Sequence, residues 1–174
     1  MIKINIYLVG MMGSGKSTIG RLLADRLNMS WIDMDEMIEA EGMKISKIFE
    51  LHGEDHFRAL EEKIAIRVSN MTDKVVSTGG GAVLRESNLK AMKASGKIVY
   101  LNGSYETLLR NLEAGRDHRP LLKEGSLEGK VKNLLSVRSD IYESCADISI
   151  CTDRKRPYLI VDEVESELSK LLKL

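Results

Sequence analysis

The chain has 174 residues, of which 26 are Lys or Arg, 26 are Asp or Glu and 43% are hydrophobic. This balance excludes the global positive field that draws a protein to nucleic acid or to an anionic membrane, so neither is expected as a partner. The length is typical of one compact domain, and we expect a single domain over residues 1–174.

The opening residues, MIKINIYLVG, are apolar but too few for a membrane helix, and they lead into a glycine loop where a signal peptide would have its cleavage site. We therefore expect a cytoplasmic location. The two cysteines, Cys145 and Cys151, have no histidine nearby, which excludes a zinc cluster and does not favour a disulfide framework. Equal charge and the absence of a long apolar heptad run predict a monomer.

Short apolar runs alternate with longer amphipathic stretches along the chain. The runs predicted as strands are 4–9, 31–32, 75–77, 98–101 and 148–151. The stretches predicted as helices are 18–27, 57–70, 86–94, 105–112 and 127–144, with a last helix around 160–171. This order predicts an α/β fold of three layers, in which helices cover both faces of a five-stranded parallel sheet. Ligands are expected beyond the carboxyl ends of the strands.

A phosphate-binding loop is predicted directly after the first strand, where the segment GMMGSGKS matches the pattern G-x-x-x-x-G-K-[ST] in full. Glycines let successive N–H groups point at phosphate oxygens, and the following helix presents its positive end to the same anion. Lys16 is expected to reach the β and γ phosphates, and Ser17 to offer its hydroxyl to Mg²⁺. The predicted nucleotide contacts are Gly13, Ser14, Gly15, Lys16, Ser17 and Thr18.

Two carboxylates, Asp33 and Asp35, follow the second predicted strand. If both belong to that strand, alternation points them the same way. One could then hold magnesium through water, and the other could accept a hydrogen bond from a substrate hydroxyl. Alternatively, Asp35 is the N-cap of a helix over 36–40. The residues alone leave both interpretations open.

Three features further along could face an acceptor substrate. Arg58 and Arg138 could each bind an anion, or could instead pair with acidic residues close by in the sequence. Gly79-Gly80-Gly81 follows the third strand, and the absence of three side chains at a ligand-binding edge indicates that some group approaches this backbone closely. The alternative is a flexible turn. Arg119 stands in an irregular loop and could neutralise charge on a transferred phosphoryl group, or could be a surface cation.

Taken in order, these segments resemble the shikimate kinase family over the length of the chain. The matching segments are GMMGSGKSTIGRLLA, IDMD, IFELHGEDHFRALEE, STGGGAV, RPLL and the R-x-x-x-Y of Arg138 to Tyr142. The resemblance implies an alcohol-group phosphotransferase that uses ATP and Mg²⁺ to convert shikimate to shikimate 3-phosphate, on the route to chorismate and the aromatic amino acids. It also implies a P-loop kinase architecture with a substrate-binding helical region at about 33–62 and a lid at about 112–124.

The resemblance assigns roles residue by residue. The implied shikimate contacts are Asp35, Arg58, Gly80, Gly81 and Arg138, with Phe49 and Phe57 as apolar walls and Glu61 supporting Arg58. The implied catalytic residues are Lys16, Asp35 and Arg119, of which Arg119 is the lid arginine that touches the phosphates. Asp33 joins Ser17 near magnesium. For the adenine, Arg110 is the first choice and Arg116 the second, and Arg154 in the loop 152–157 is a further candidate.

Two other classes of protein share parts of this pattern. A gluconate kinase or a nucleoside monophosphate kinase would also have a phosphate loop and a lid, but the triple glycine and Arg58 argue against both. A nucleotide-dependent switch protein would carry an apolar strand that ends in D-x-x-G, and the sequence contains none.

Overall fold

The computed structural model describes residues 4–114 and 126–173. Within them, five parallel strands form one sheet in the order β2-β3-β1-β4-β5. The strands are β1 (Asn5–Val9), β2 (Ser30–Asp33), β3 (Lys74–Ser77), β4 (Gly96–Asn102) and β5 (Ile148–Cys151). Tyr7 at the centre of β1 stands opposite Val76 on β3 and Ile98 on β4. The predicted parallel sheet is therefore confirmed.

Helices connect the strands and cover both faces of the sheet. They are α1 (Lys16–Leu27), α2 (Met34–Ala40), α3 (Ile45–Ser69), α4 (Glu86–Ser95), α5 (Tyr105–Ala114), α6 (Leu127–Cys145) and α7 (Pro157–Leu172), and a short 3-10 turn occupies Ala82–Leu84. In the part of the chain that the structure describes, no helix is long and apolar enough to cross a membrane.

The core consists of two apolar clusters, one on each face of the sheet. Along β1, Tyr7 and Val9 belong to the first cluster, whereas Ile6 and Leu8 belong to the second, and all four are fully buried. Side chains of α3, α4 and α6 complete the first cluster, and those of α1 and α7 complete the second. Burying one such side chain stabilises the fold by about 1.5–3 kcal/mol. This alternation on the central strand explains the three-layer architecture.

The segment after β2 differs from the sequence expectation. The chain turns into α2 at Met34, and Asp33 is the N-cap, accepting hydrogen bonds from the backbone N–H groups of Asp35 at 3.0 Å and Glu36 at 3.4 Å. The interpretation of Asp33 and Asp35 as alternating residues of one strand is wrong, because Asp35 is already helical. The alternative cap at Asp35 is also wrong, because Asp33 occupies that position.

The helix α3 begins earlier than the predicted range 57–70. It starts at Ile45 and is interrupted at Gly53, where φ is 79° and ψ is 179°. An L-residue rarely adopts this φ, so a glycine suits the break. The helix thus has two parts, and the second part presents the segment that contains Phe57 and Arg58.

The carboxyl ends of the strands bring the candidate site together. Because the strands are parallel, the loop 10–15 after β1, Asp33 at the end of β2 and the glycine turn 79–81 after β3 lie at the same edge of the sheet. The loop 152–156 after β5 reaches the same edge farther along.

Candidate active site

The phosphate loop has the backbone shape of an anion cradle. Gly10, Gly13 and Gly15 have φ values of 144°, 83° and 91°, a region that favours glycine. The Nζ of Lys16 donates to the carbonyl oxygens of Gly10 at 2.8 Å and Met11 at 2.9 Å. The loop therefore holds the Lys16 ammonium group beside its own backbone, where the positive charge can also bind a phosphate.

A buried, unpartnered hydroxyl supports the same interpretation. Ser14 is 3% exposed, and its Oγ has no hydrogen-bond partner within the described residues. A buried polar atom without a partner is costly, unless a ligand or water supplies one. The loop therefore fits the phosphates of ATP.

Helix α5 packs directly against this loop. A Cβ added at Gly13 would lie 2.8 Å from the carbonyl oxygen of Leu108 and 2.9 Å from the Cγ of Leu112, so no larger residue fits without a shift. The Nδ2 of Asn111 donates to the Gly13 carbonyl oxygen at 2.8 Å. Sequence reasoning missed this contact of Asn111 with the phosphate loop, because no motif marks the residue.

Ser17 and Asp33 form a pair that fits magnesium. The Ser17 hydroxyl donates to Oδ2 of Asp33 at 2.8 Å, while Oδ1 of Asp33 caps α2. A hydroxyl and a carboxylate beside a phosphate site are the hard oxygen donors that Mg²⁺ prefers. Ser17 and Asp33, the two residues predicted to bind Mg²⁺, therefore lie within hydrogen-bond distance of each other.

Asp35 lies in the first turn of α2, close to the phosphate loop. Burial, reinforced by the nearby carboxylates of Asp33 and Glu61, raises the pKa of Asp35 to about 6, although the charge of Lys16 opposes the rise. Its Oδ1 is buried and has no hydrogen-bond partner among the described groups. Asp35 therefore offers an acceptor atom that a substrate hydroxyl can satisfy, and most of it is ionised at neutral pH.

Arg58 is held in place by two carboxylates on its own helix. Its Nη1 donates to Glu61 at 2.8 Å, and its Nη2 lies 3.1 Å from Glu54. The Glu61 side chain is only 1% exposed, and burial raises its pKa while Arg58 and Arg138 oppose the rise. The expected support of Arg58 by Glu61 agrees with these contacts. Glu62 pairs with Arg85 instead, at 2.7 Å.

Charged side chains leave no room for a side chain at Gly79 or Gly81 in the glycine turn. A Cβ at Gly79 would lie 2.7 Å from Oε1 of Glu61 and 3.2 Å from Oδ1 of Asp35, and a Cβ at Gly81 would lie 2.7 Å from Cζ of Arg58. None of the three glycines has a positive φ. The close approach that the sequence indicated is confirmed, and the approaching groups are the protein's own charged side chains.

Arg138 reaches the same turn from α6. Its Nη1 lies 3.6 Å from the position that a Cβ of Gly80 would occupy. The rings of Phe49 and Phe57 lie with their centroids 4.7 Å apart, and the guanidinium of Arg58 is 5.2 Å from the Phe57 ring centroid. The structure thus gathers two arginines and the carboxylates of Asp35 and Glu61 at one turn, with the aromatic pair beside Arg58.

A separate cavity of about 550 Å³ lies on the far side of α5. Its lining residues are Ser104, Glu106, Thr107, Arg110, Asp153 and Arg154. Asp153 accepts a hydrogen bond from the backbone N–H of Ser104 at 2.8 Å and so ties the loop after β5 to the start of α5. Two adenine candidates, Arg110 and Arg154, therefore share one cavity. Arg116, Arg119 and the rest of the predicted lid after Ala114 lie outside the described residues.

This geometry agrees with the relationship of the sequence to known proteins. The family model described as shikimate kinase matches residues 12–169. The chain belongs to the shikimate kinase family. A shikimate kinase of Sulfurihydrogenibium sp. (strain YO3AOP1) is 46% identical over 95% of this chain and 98% of that protein.

Solved shikimate kinases have the same fold. The structure "Shikimate kinase from Acinetobacter baumannii in complex with shikimate" has a TM-score of 0.88 and is 35% identical, covering 98% of this chain and 93% of that chain. The shikimate kinase of Aquifex aeolicus has a TM-score of 0.81 and is 39% identical, covering 95% of this chain and 96% of that chain. The shikimate kinase family uses ATP as phosphate donor together with Mg²⁺, and the phosphate loop with the Ser17–Asp33 pair fits both.

Proposed function

We propose that this chain catalyses transfer of the γ-phosphoryl group of ATP to a hydroxyl of shikimate, forming shikimate 3-phosphate. The observation that carries the proposal is the placement of Asp35, Arg58 and Arg138 around the glycine turn, next to the phosphate-loop lysine. A phosphate donor site and an acceptor site therefore meet at one edge of the sheet. In this arrangement the two substrates would be held in reacting orientation, which supplies a large part of the rate of such enzymes.

The charges of the acceptor site suit a hydroxy acid. Shikimate carries a carboxylate and three hydroxyls, and two guanidinium groups can hold a carboxylate through charge-assisted, paired hydrogen bonds. Arg58 and Arg138 take this role in the proposal, with Gly80 and Gly81 as backbone contacts. A neutral sugar would offer neither arginine a further charge-assisted bond, so this pocket favours an acid.

The buried carboxylate has a different task. Asp35 accepts a hydrogen bond from the reacting hydroxyl and orients its oxygen towards the phosphate. In the loose transition state that is usual for phosphoryl transfer, little base strength is needed, so orientation is its main contribution.

Positive charge is needed on the phosphate side. Lys16 and the backbone N–H groups of the loop neutralise the oxygens of the transferred group. Bound Mg²⁺ would neutralise further charge on the phosphates, and Ser17 and Asp33 are the residues proposed to hold it. Phe49 and Phe57 form the apolar wall of the acceptor site.

Several assignments rest on the family resemblance alone. Arg119 is proposed as the lid arginine on the phosphates, and Arg110 and Arg154 as residues that border the adenine. The region 33–62 is proposed to bind shikimate and 112–124 to form the lid of a single domain. A monomer in the cytoplasm also stays a prediction.

Formation of shikimate 3-phosphate, followed by ³¹P NMR of a mixture of the protein, Mg·ATP and shikimate, tests the proposed reaction.

Replacing Arg58 with lysine is expected to raise the KM for shikimate by about tenfold to a hundredfold, because lysine keeps the charge beside Glu61 but loses the planar fork that binds a carboxylate. The KM for ATP should change by less than about twofold, since Arg58 does not contact the phosphate loop. Steady-state kinetics with each substrate varied in turn would measure both values.

Arg67→Lys is the matched control, because Arg67 lies on the same helix, is 58% exposed and pairs with Glu41. That variant should behave as wild type. An equal rise of both KM values in Arg58→Lys would contradict the assignment of Arg58 to the acceptor.

The pH profile should report the ionisation of Asp35. The ionised carboxylate accepts a charge-assisted hydrogen bond from the hydroxyl, whereas the protonated acid is a much weaker acceptor, and the pKa of Asp35 is about 6. We therefore expect kcat/KM for shikimate to be constant above about pH 7. Below about pH 6 it should decrease, and the decrease should approach about tenfold for each pH unit. Magnesium is kept in excess so that the nucleotide stays magnesium-bound, and circular dichroism confirms the folded state at each pH. A flat profile down to pH 5 would contradict this role.

A further inference from the structure

Tyr142 on α6 places its hydroxyl between the glycine turn and the phosphate loop. The side chain is fully buried, and its hydroxyl donates to the carbonyl oxygen of Gly80 in the glycine turn. The same hydroxyl lies 3.8 Å from the Sδ of Met11 in the phosphate loop. The ring stacks on Tyr100, with centroids 5.2 Å apart and planes at 25°, which limits its rotation.

Arg138 lies one helical turn before Tyr142 on α6, and residues four apart lie on the same face of a helix. Burial raises the pKa of the Tyr142 hydroxyl, and the charge and hydrogen bond of Arg138 oppose that rise. The hydroxyl is thus protonated at neutral pH. The hydroxyl donates its proton to Gly80, and the charge of Arg138 acts on its oxygen, so one group lies between the guanidinium and the glycine turn.

The bond matters because the glycine turn has no side chains of its own with which to fix its position. Helix α6 and the turn come from distant parts of the sequence, and the Tyr142 hydroxyl joins them through a side-chain to backbone bond. Without the hydroxyl, the half-buried Gly80 would lose a hydrogen bond to its carbonyl oxygen, and Arg138 could adopt other rotamers.

We infer that Tyr142 is a positioning residue, which orients Arg138 and fixes the Gly80 backbone so that the acceptor carboxylate and ring are held in one pose. Tyr142 does not touch the acceptor. It acts through the two groups that do, and the inference rests on the proposed function. The expected consequence is a change in acceptor affinity rather than in nucleotide affinity.

The test is Tyr142→Phe, which removes one oxygen and keeps the stacked ring. The KM for shikimate should rise by about tenfold, while the KM for ATP changes by less than about twofold, because the phosphate loop is held by its own backbone and Lys16 bonds. Tyr100→Phe is the matched control, since it removes a hydroxyl that bonds Asn102 from the same ring stack. Both KM values of the control should stay within about twofold of wild type.

A second measurement separates positioning from general stability. In an Arg138→Met background, Tyr142→Phe should raise the KM for shikimate by clearly less than the rise of about tenfold that is expected in the wild type, because part of its effect passes through Arg138. The inference is overturned if Tyr142→Phe leaves the KM for shikimate unchanged, if both KM values rise together with a loss of Tm, or if the two substitutions multiply fully. Absence of shikimate-dependent turnover in the wild type would instead contradict the proposed function.

Discussion

Lys16→Ala is expected to lower kcat by about a thousandfold or more, because removal of a preorganised cation from a phosphoryl-transfer site costs this order of rate. Lys16 lies beside the loop carbonyls of Gly10 and Met11, and its charge also reaches Asp35. The cation thus stands between donor and acceptor sites. ADP release at saturating ATP and shikimate measures the loss, and equilibrium binding of Mg·ATP measures any change in nucleotide affinity.

Lys170→Ala is the control for Lys16→Ala, since Lys170 lies on α7 with 67% of its side chain exposed. It should keep wild-type kcat, and both variants should keep a cooperative thermal transition. A folded Lys16→Ala variant that retains more than about a tenth of wild-type kcat would exclude Lys16 from transition-state stabilisation.

Asp35→Asn is expected to lower kcat by about a hundredfold to ten-thousandfold, the range usual for loss of a positioned acid or base. The amide keeps the size of the carboxylate but loses its charge and half of its acceptor capacity. The folded-state pKa of Asp35 is raised from 3.8 to about 6, so its ionisation opposes folding, and this cost develops between those two pH values and is complete at neutral pH. Asp35→Asn should therefore raise Tm at pH 7.5 while activity falls.

Glu36→Gln controls for a change of charge in the same turn, because Glu36 is adjacent, is 66% exposed and pairs only distantly with Arg21, at 3.5 Å. Its kcat and Tm should stay close to wild type. If Asp35→Asn instead loses activity and Tm in parallel, the residue is structural and its assignment to the reacting hydroxyl fails.

The parts of the site that follow from local patterns could be predicted from the sequence. The phosphate loop depends on a short run of residues, and its cradle follows from glycine backbone freedom together with the helix that begins at Lys16. The glycine turn was also recognisable, because its three glycines are consecutive in the sequence. Its partners were not, because the close approach of Glu61 and Arg58 depends on how α3 packs against the end of β3.

The boundary after β2 shows where local patterns fail. Asp33 and Asp35 have the spacing of alternating strand residues, and only the hydrogen bonds of the Asp33 side chain identify the start of α2 at Met34. The first part of α3 was also missed, since Gly53 interrupts its helical period. In both places, contacts that form only in the folded chain decide the local structure.

The other contacts that could not be predicted from the sequence are long-range hydrogen bonds. Asn111 bonds Gly13 across 98 positions of the sequence, and Tyr142 bonds Gly80 across 62. The spacing of Arg138 and Tyr142 was visible as one helical turn, but the partner of the hydroxyl was not. Asn111 carries no motif, and the R-x-x-x-Y motif does not show what the Tyr142 hydroxyl bonds, because both contacts are set by the packing of elements that are distant along the chain.

The most direct measurement is ADP release from Mg·ATP by the purified protein, with shikimate, gluconate, AMP or no acceptor supplied in parallel. Turnover with shikimate alone is the predicted result, because the two arginines at the glycine turn are proposed to bind the carboxylate of the acceptor. Turnover driven by another acceptor, or equal turnover without any, would contradict the assignment of Asp35, Arg58 and Arg138 to shikimate.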